Sequence, residues 1–291
     1  MGRLRILHIG NPANVAGEIA AAQRKLGHHA EVAVARPHPC GYAHDRLLRF
    51  PRGLRWLEVR GYDVLHLHSF RLLPQALETL LPGKIVLHHH GADVRLPGEP
   101  WGARWAHARL CNYDLLRACP GAQAVPLPID WWKYATSGFE TCYPYVLHRE
   151  TDPDSSGTRF VQDACRSIGV SLQPHFTSPI QPCQRQDWLN AMGRATVVVG
   201  KVSRISGMPG MTCMEAMAMG KPALCWFSDY VKQFMPECPV VSVNPETLED
   251  RLREVLSSKI LRQELGERGR AYVRKFHDPL KVAFQCGVAY A

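Results

Sequence analysis

The segment Gly207-Met208-Pro209-Gly210-Met211-Thr212-Cys213-Met214-Glu215-Ala216-Met217-Ala218-Met219-Gly220-Lys221-Pro222 concentrates the chemistry of this sequence. A glycine-bearing loop runs into a helical pattern. The first amides of a helix have no partner within it and sit at the positive end of its dipole. Gly210, Met211 and Thr212 therefore offer N–H groups suited to a phosphate. Glu215 falls in the expected first turn, where its carboxylate can accept hydrogen bonds from sugar hydroxyls. The same spacing also reads as a capping box, Thr212-x-x-Glu215, in which the glutamate satisfies the backbone at Thr212. A diphosphate further needs cations or N–H donors in place of water, and Arg149, Arg159, Lys201 and Arg204 are candidates.

Histidines form the second group. His66 and His68 share one face of a strand pattern, and His88 and His90 share a face of another. Such pairs hold metals when carboxylates join them. No Asp/Glu cluster with ligand spacing accompanies them, so the sequence predicts no metal site. His90 falls at the carboxyl edge of its strand, where ligands of open α/β sheets bind. Asp93 and Arg95 follow it, either lining the same cleft or pairing locally to fix the turn. The methionines at 208, 211, 214, 217 and 219 read as core packing.

These residues need elements to hold them. Arg5–Ile9, Ala30–Ala35, Val64–His68 and Ile85–His89 are short apolar runs, expected as buried parallel strands. Helices are expected over Glu18–Leu26 and around 72–81 and 101–110. The stretch 126–144, rich in Pro, Gly and aromatics, reads as a linker. A second series follows: strands at Tyr145–His148, Ala195–Val199, Ala223–Phe227 and Pro239–Val243, and helices at 158–168, 186–192, 212–219, 245–274 and 279–288. Gly220 and Pro222 stop the helix that carries Glu215.

Composition excludes several classes. Of 291 residues 46% are apolar and 21% charged, as in a folded enzyme. No apolar run reaches the roughly 20 residues that span a bilayer, and the first strand lacks the form of a signal peptide. Ten cysteines stand singly without a C-x-x-C pair, which fits a reducing, cytoplasmic setting. Residues 1–135 hold 17 Lys and Arg against 10 Asp and Glu, and the rest 18 against 16. A basic first half suits phosphate groups or an anionic membrane surface. No aromatic-and-basic RNA motif or zinc finger is present, so nucleic acid is not an expected partner.

The run Glu215-Ala216-Met217-Ala218-x-Gly220-Lys221-Pro222 resembles the signature of retaining glycosyltransferases of the GT-B fold, family 4 type. Tyr62-Asp63-Val64-Leu65-His66-Leu67-His68, His90-Gly91-Ala92-Asp93-Val94-Arg95, Leu127-Pro128-Ile129-Asp130 and Arg274-Lys275-Phe276-His277-Asp278 resemble further family segments in the family's order. The resemblance implies an α/β chain of two Rossmann-like domains facing each other across a cleft. Residues 1–135 would form the acceptor side, 136–275 the nucleotide-sugar side, and 276–291 a helix returning to the first domain. It implies Glu215 on the ribose and Arg149 with Gly210, Met211 and Thr212 on the diphosphate. His90 would face the transferred sugar, with Asp93 and Arg95 beside it, and the Asn14–Gly17 loop would lie near donor and acceptor. The activity implied is retaining transfer from a nucleoside-diphosphate sugar to a glycan, lipid-linked or small-molecule acceptor, without cofactor or metal. Two positions depart from the pattern: Gly207 stands where the family has a second Glu, and Ser156 where it has a Lys. A nucleotide- or glycan-binding protein that has lost catalysis, or a nucleotide-sugar epimerase, are the alternatives.

Overall fold

In the computed structural model the apolar runs become the interiors of two parallel sheets. The structure describes residues 2–48, 59–69, 83–91, 94, 103, 106–134, 144–150, 152–176 and 184–291. The strands are β1 (Arg5–Ile9), β2 (His29–Val34), β3 (Arg46–Leu47), β4 (Val64–His68), β5 (Lys84–His89), β6 (Ala108–Cys111), β7 (Gln123–Ala124), β8 (Tyr145–Glu150), β9 (Ser171–Phe176), β10 (Val197–Val199), β11 (Ala223–Cys225) and β12 (Val241–Ser242). The helices of a full turn pair or more are α1 (Val15–Lys25), α2 (Thr158–Ile168), α3 (Arg185–Arg194), α4 (Met211–Ala218), α5 (Leu248–Ser257), α6 (Lys259–Phe276) and α7 (Pro279–Val288).

The chain divides into two units, Met1–Pro128 with Pro279–Ala291, and Ile129–Asp278. In the first, the strand order is β3-β2-β1-β4-β5-β6-β7, with every neighbouring pair parallel. Strand alternation sends Leu7, Ile9, Leu65, Leu67, Ile85 and Leu87 to one face, where they form a continuous apolar core. Helix α1 packs along α7, and Gln23 of α1 donates from Nε2 to the Tyr290 hydroxyl just beyond α7, at 2.8 Å. In the second unit the order is β12-β11-β10-β8-β9, again all parallel. Val146, Val197, Val199 and Leu224 of this sheet pack with Val161 of α2 and with Leu248, Leu252 and Val255 of α5.

Each order reverses once, between β1 and β4 in the first sheet and between β8 and β10 in the second. Ligands of such sheets bind beyond the carboxyl ends at that reversal. Several elements differ from the sequence reading. The helix expected around 101–110 gives way to a strand from Ala108, which completes hydrogen bonding to β5. The helix expected over 72–81 lies outside the described residues. Expected domain limits at 135/136 and 275/276 compare with unit limits at 128/129 and 278/279. Among the described residues no helix is long and apolar enough to cross a membrane. Cys40, Cys111, Cys165, Cys213, Cys225 and Cys286 are buried, acting as small apolar side chains.

Candidate functional site

Strand β10 ends at Val199, and the chain returns through Gly200–Gly210 to start α4 at Met211. Gly210 is the N-cap, extended at φ −79° and ψ −174°, and no side chain caps the helix. It is exposed, and no atom lies within 4 Å of the place a Cβ would occupy. Met211 and Thr212 are half-buried. The start of α4 is therefore an uncapped, accessible set of amides at the reversal of the second sheet, the arrangement that receives an anion.

Glu215 departs from the sequence reading. Because α4 begins one residue early, Glu215 is its fifth residue, outside the first turn. Thr212 is the second residue rather than the N-cap, so the capping box does not form. The glutamate is 1% exposed. Its Oε1 lies 2.7 Å from Nη1 of Arg185, and its Oε2 accepts from Nε1 of Trp188 at 3.0 Å. Arg185 also donates from Nη2 to the Tyr134 hydroxyl at 2.6 Å. The carboxylate is turned inward and neutralised. Sequence reasoning missed Arg185 and Trp188, whose i, i+3 spacing at the start of α3 puts both on one helix face.

The two departures from the family pattern have structural causes. Gly207 has φ +67°, and a Cβ there would lie 2.6 Å from Ser228 Oγ. Its carbonyl also accepts from the Ser228 amide at 3.0 Å. The turn takes glycine because it is left-handed and closed on its outer side. Ser156 is fully buried, and its Oγ has no hydrogen-bond partner among the described residues, so it does not reach a surface phosphate. Arg149 lies near the carboxyl end of β8, beside the reversal. Arg204 is engaged with Glu246 at 2.9 Å, and exposed Arg159 lies 4.9 Å from the Phe160 ring centre. His148 is buried between two partners: Nδ1 donates to the Val199 carbonyl at 2.9 Å and Nε2 accepts from Thr158 Oγ1 at 3.0 Å. Burial lowers its pKa, against the opposing backbone bond. A surface hollow of about 560 Å³, lined by Tyr145, Ser171, Gln173, Asp187 and Asn190, opens at the amino ends of β8 and β9. That is the edge away from the reversal's ligand side, so the start of α4 is the stronger site.

In the first unit, β1 leads into a loop at the same kind of edge. Asn14 is left-handed at φ 64° and donates from Nδ2 to Glu18 Oε1 at 2.9 Å. The Gly17 amide donates to Asn11 Oδ1 at 3.1 Å, tying the loop to α1. Next to it stand the histidines. Register pairs His8 with His66 and His68 with His88 across three adjacent strands, on the face opposite the apolar core. His8 Nδ1 meets His68 Nε2 at 3.0 Å, and His68 Nδ1 meets His90 Nε2 at 2.9 Å. His66 Nε2 meets His88 Nδ1 at 3.3 Å, and His66 Nδ1 meets the Tyr290 hydroxyl at 2.7 Å. Burial lowers His8 to about 4, with the Gln23 bond opposing it. Burial, and then mutual repulsion of the rings' charged forms, holds His66, His68 and His88 well below the usual range. Taken strand by strand, the sequence predicted no metal site. Cross-strand register instead assembles two three-histidine groups, His8/His66/His68 and His68/His88/His90, each with nitrogens within 4.8 Å of one another. His8 was missed because a single histidine in β1 carries no signal until its neighbours are known. Asp93 and Arg95 lie outside the described residues.

No family profile matches this sequence, and no curated protein matches it. Solved structures do. The chain is similar to Anabaena HepE in complex with UDP and glucose, at 12% identity and TM-score 0.69, covering 98% of this chain and 99% of that one. It is similar to the catalytic domain of starch synthase IV from Arabidopsis thaliana bound to ADP and acarbose, at 11% identity and TM-score 0.68, covering 99% of both. It is also similar to sucrose-phosphate synthase from Thermosynechococcus elongatus, at 15% identity and TM-score 0.65, covering 99% of this chain and 98% of that one. Two parallel α/β units in one chain, with likeness over nearly the full length of these proteins, make this a chain of the GT-B fold.

Proposed function

We propose that the chain is a glycosyltransferase that moves a sugar from a nucleoside-diphosphate donor to a glycan, lipid-linked or small-molecule acceptor. The observation that carries this is the open start of α4, where Gly210 is exposed and uncapped at the sheet reversal. In this reading the diphosphate lies against the amides of Met211 and Thr212, with Arg149 near by. Those amides and cations stabilise the leaving diphosphate, so no metal is required there. Transfer with retention rests on the resemblance to retaining GT-B enzymes. Glu215 meets the ribose through the carboxylate lone pairs that Arg185 and Trp188 leave over. His90 faces the transferred sugar, with Asp93 and Arg95 shaping that turn and the Asn14–Gly17 loop near the acceptor. HepE with UDP-glucose, of like fold, supports a nucleotide-sugar donor. The singly placed cysteines support a cytoplasmic enzyme, and the positive surplus of residues 1–135 supports work at an anionic membrane surface.

The left-handed Gly207 and buried Ser156 favour a second reading, a nucleotide- or glycan-binding protein without turnover, because neither supplies charge to a donor. A panel of UDP-, GDP- and ADP-sugars, followed by thermal shift and by release of free nucleotide, tests both. Transfer predicts stabilisation by one donor together with slow nucleotide release. Stabilisation without release, whatever acceptor is added, supports the second reading. A Tm unmoved by every donor refutes both.

A further inference from the structure

Three neighbouring parallel strands place five histidines together, where a sheet face of this kind ordinarily carries Val and Ile. His8, His66, His68 and His88 are at most 3% exposed, and His90, just past β5, is half-buried. Burying that many imidazoles is costly unless each ring nitrogen is satisfied. Gln23 fixes how this is done. Its Nε2 donates to Tyr290, so its Oε1 is the acceptor that meets His8 Nε2 at 2.8 Å. His8 then accepts at Nδ1 from His68 Nε2, which leaves a lone pair on His68 Nδ1, directed at His90. A histidine whose far nitrogen donates to a fixed acceptor, while its near nitrogen offers a lone pair, is the arrangement of a metal ligand.

We propose that His68, His88 and His90 bind one divalent cation of the zinc class, with His8 and Gln23 orienting His68 from behind. The three rings offer nitrogens within 4.8 Å of one another. Bonds of about 2.0–2.1 Å at tetrahedral angles set zinc-bound nitrogens about 3.3 Å apart. The 2.9 Å from His68 Nδ1 to His90 Nε2 therefore has only to open slightly as the ion replaces the proton between them. His90 keeps that proton on its other nitrogen, so this ring releases none. Three neutral imidazoles with no carboxylate select Zn2+, Co2+, Ni2+ or Cu2+ over Mg2+ and Ca2+, which take oxygen ligands. Three protein ligands leave a fourth position open. The half-buried His90 provides the way in, which the fully buried His8/His66/His68 group lacks. The site belongs to the first unit and shares only His90 with the transferase reading, whose diphosphate residues are all in the second.

The test uses the full chain, stripped with a chelator, and neither donor nor acceptor. Calorimetric titration with Zn2+ is expected to show one ion per chain and a raised Tm. Co2+ is expected to give the intense visible absorption of a tetrahedral site. His90→Gln, at a half-buried position, is expected to abolish the Co2+ spectrum while keeping the circular dichroism of the parent. Gln23→Leu is expected to weaken binding about 10–100-fold. Absence of the spectrum in the parent chain, or a spectrum and affinity unchanged by His90→Gln, overturns the proposal.

Discussion

Arg185→Leu removes the positive charge 2.7 Å from Glu215 Oε1 and leaves a carboxylate that is 1% exposed. The Trp188 indole still donates to Oε2, but Oε1 loses its guanidinium partner. Breaking a buried pair by removing one partner costs about 3–5 kcal/mol, mostly from the stranded charge. The Arg185 side chain is 22% exposed, which places the cost near the lower bound, about 3 kcal/mol. With a urea slope of about 3 kcal/mol per molar, the unfolding midpoint of the second unit should fall by about 1 M. Trp188 sits in the affected cluster, so its fluorescence is a suitable probe. The double variant Arg185→Leu/Glu215→Gln keeps an acceptor for Trp188 without a charge, and should regain more than half of the loss. A single variant within about 0.5 kcal/mol of the parent, or a double variant as unstable as the sum of the two singles, would show that this carboxylate is not held by the guanidinium.

Three further outcomes are expected. Gly266→Ala in α6 puts a Cβ 2.3 Å from the Gly220 carbonyl oxygen, a backbone atom that cannot turn aside, and should cost about 1–3 kcal/mol or more by urea denaturation, whereas Gly287→Ala, with nothing within 4 Å, should not destabilise. Gly207→Glu restores the carboxylate of the family pattern but meets Ser228 at a φ of +67°, so it should lower the Tm and bring no gain in nucleotide release. His148 has a depressed pKa in the folded chain; on acidification the unfolded chain takes up that proton first, so stability should fall as pH drops below about 6.5, and His148→Gln should reduce that slope in pH-dependent denaturation.

The sheet interiors were legible because buried parallel strands are continuous apolar runs, as in Arg5–Ile9, Val64–His68 and Val197–Val199. Strand β9 was not, since Ser171-Leu172-Gln173-Pro174-His175-Phe176 mixes polar residues with a proline. Only its position at the sheet edge lets it take that composition. The glycine stop after α4 was readable, but neither its start one residue earlier nor the burial of Glu215 against Arg185 and Trp188 was. Along a strand the histidine spacing is visible; across strands it depends on register, which no local pattern encodes. The open amides at Gly210 followed from loop-then-helix spacing, whereas the partners of Glu215, Arg185 and Trp188, come from α3, distant in sequence.

The route of the chain has a consequence for how it is made. Val282 and Cys286 of α7 are fully buried, and the Tyr290 hydroxyl bridges Gln23 and His66, yet these residues are translated only after the whole of Ile129–Asp278. The second unit emerges from the ribosome as one uninterrupted stretch and can fold while synthesis proceeds. The first must wait, with part of its histidine-bearing sheet uncovered until Pro279–Ala291 follows. Of the two units, the one whose strands are made earlier is thus the one completed later.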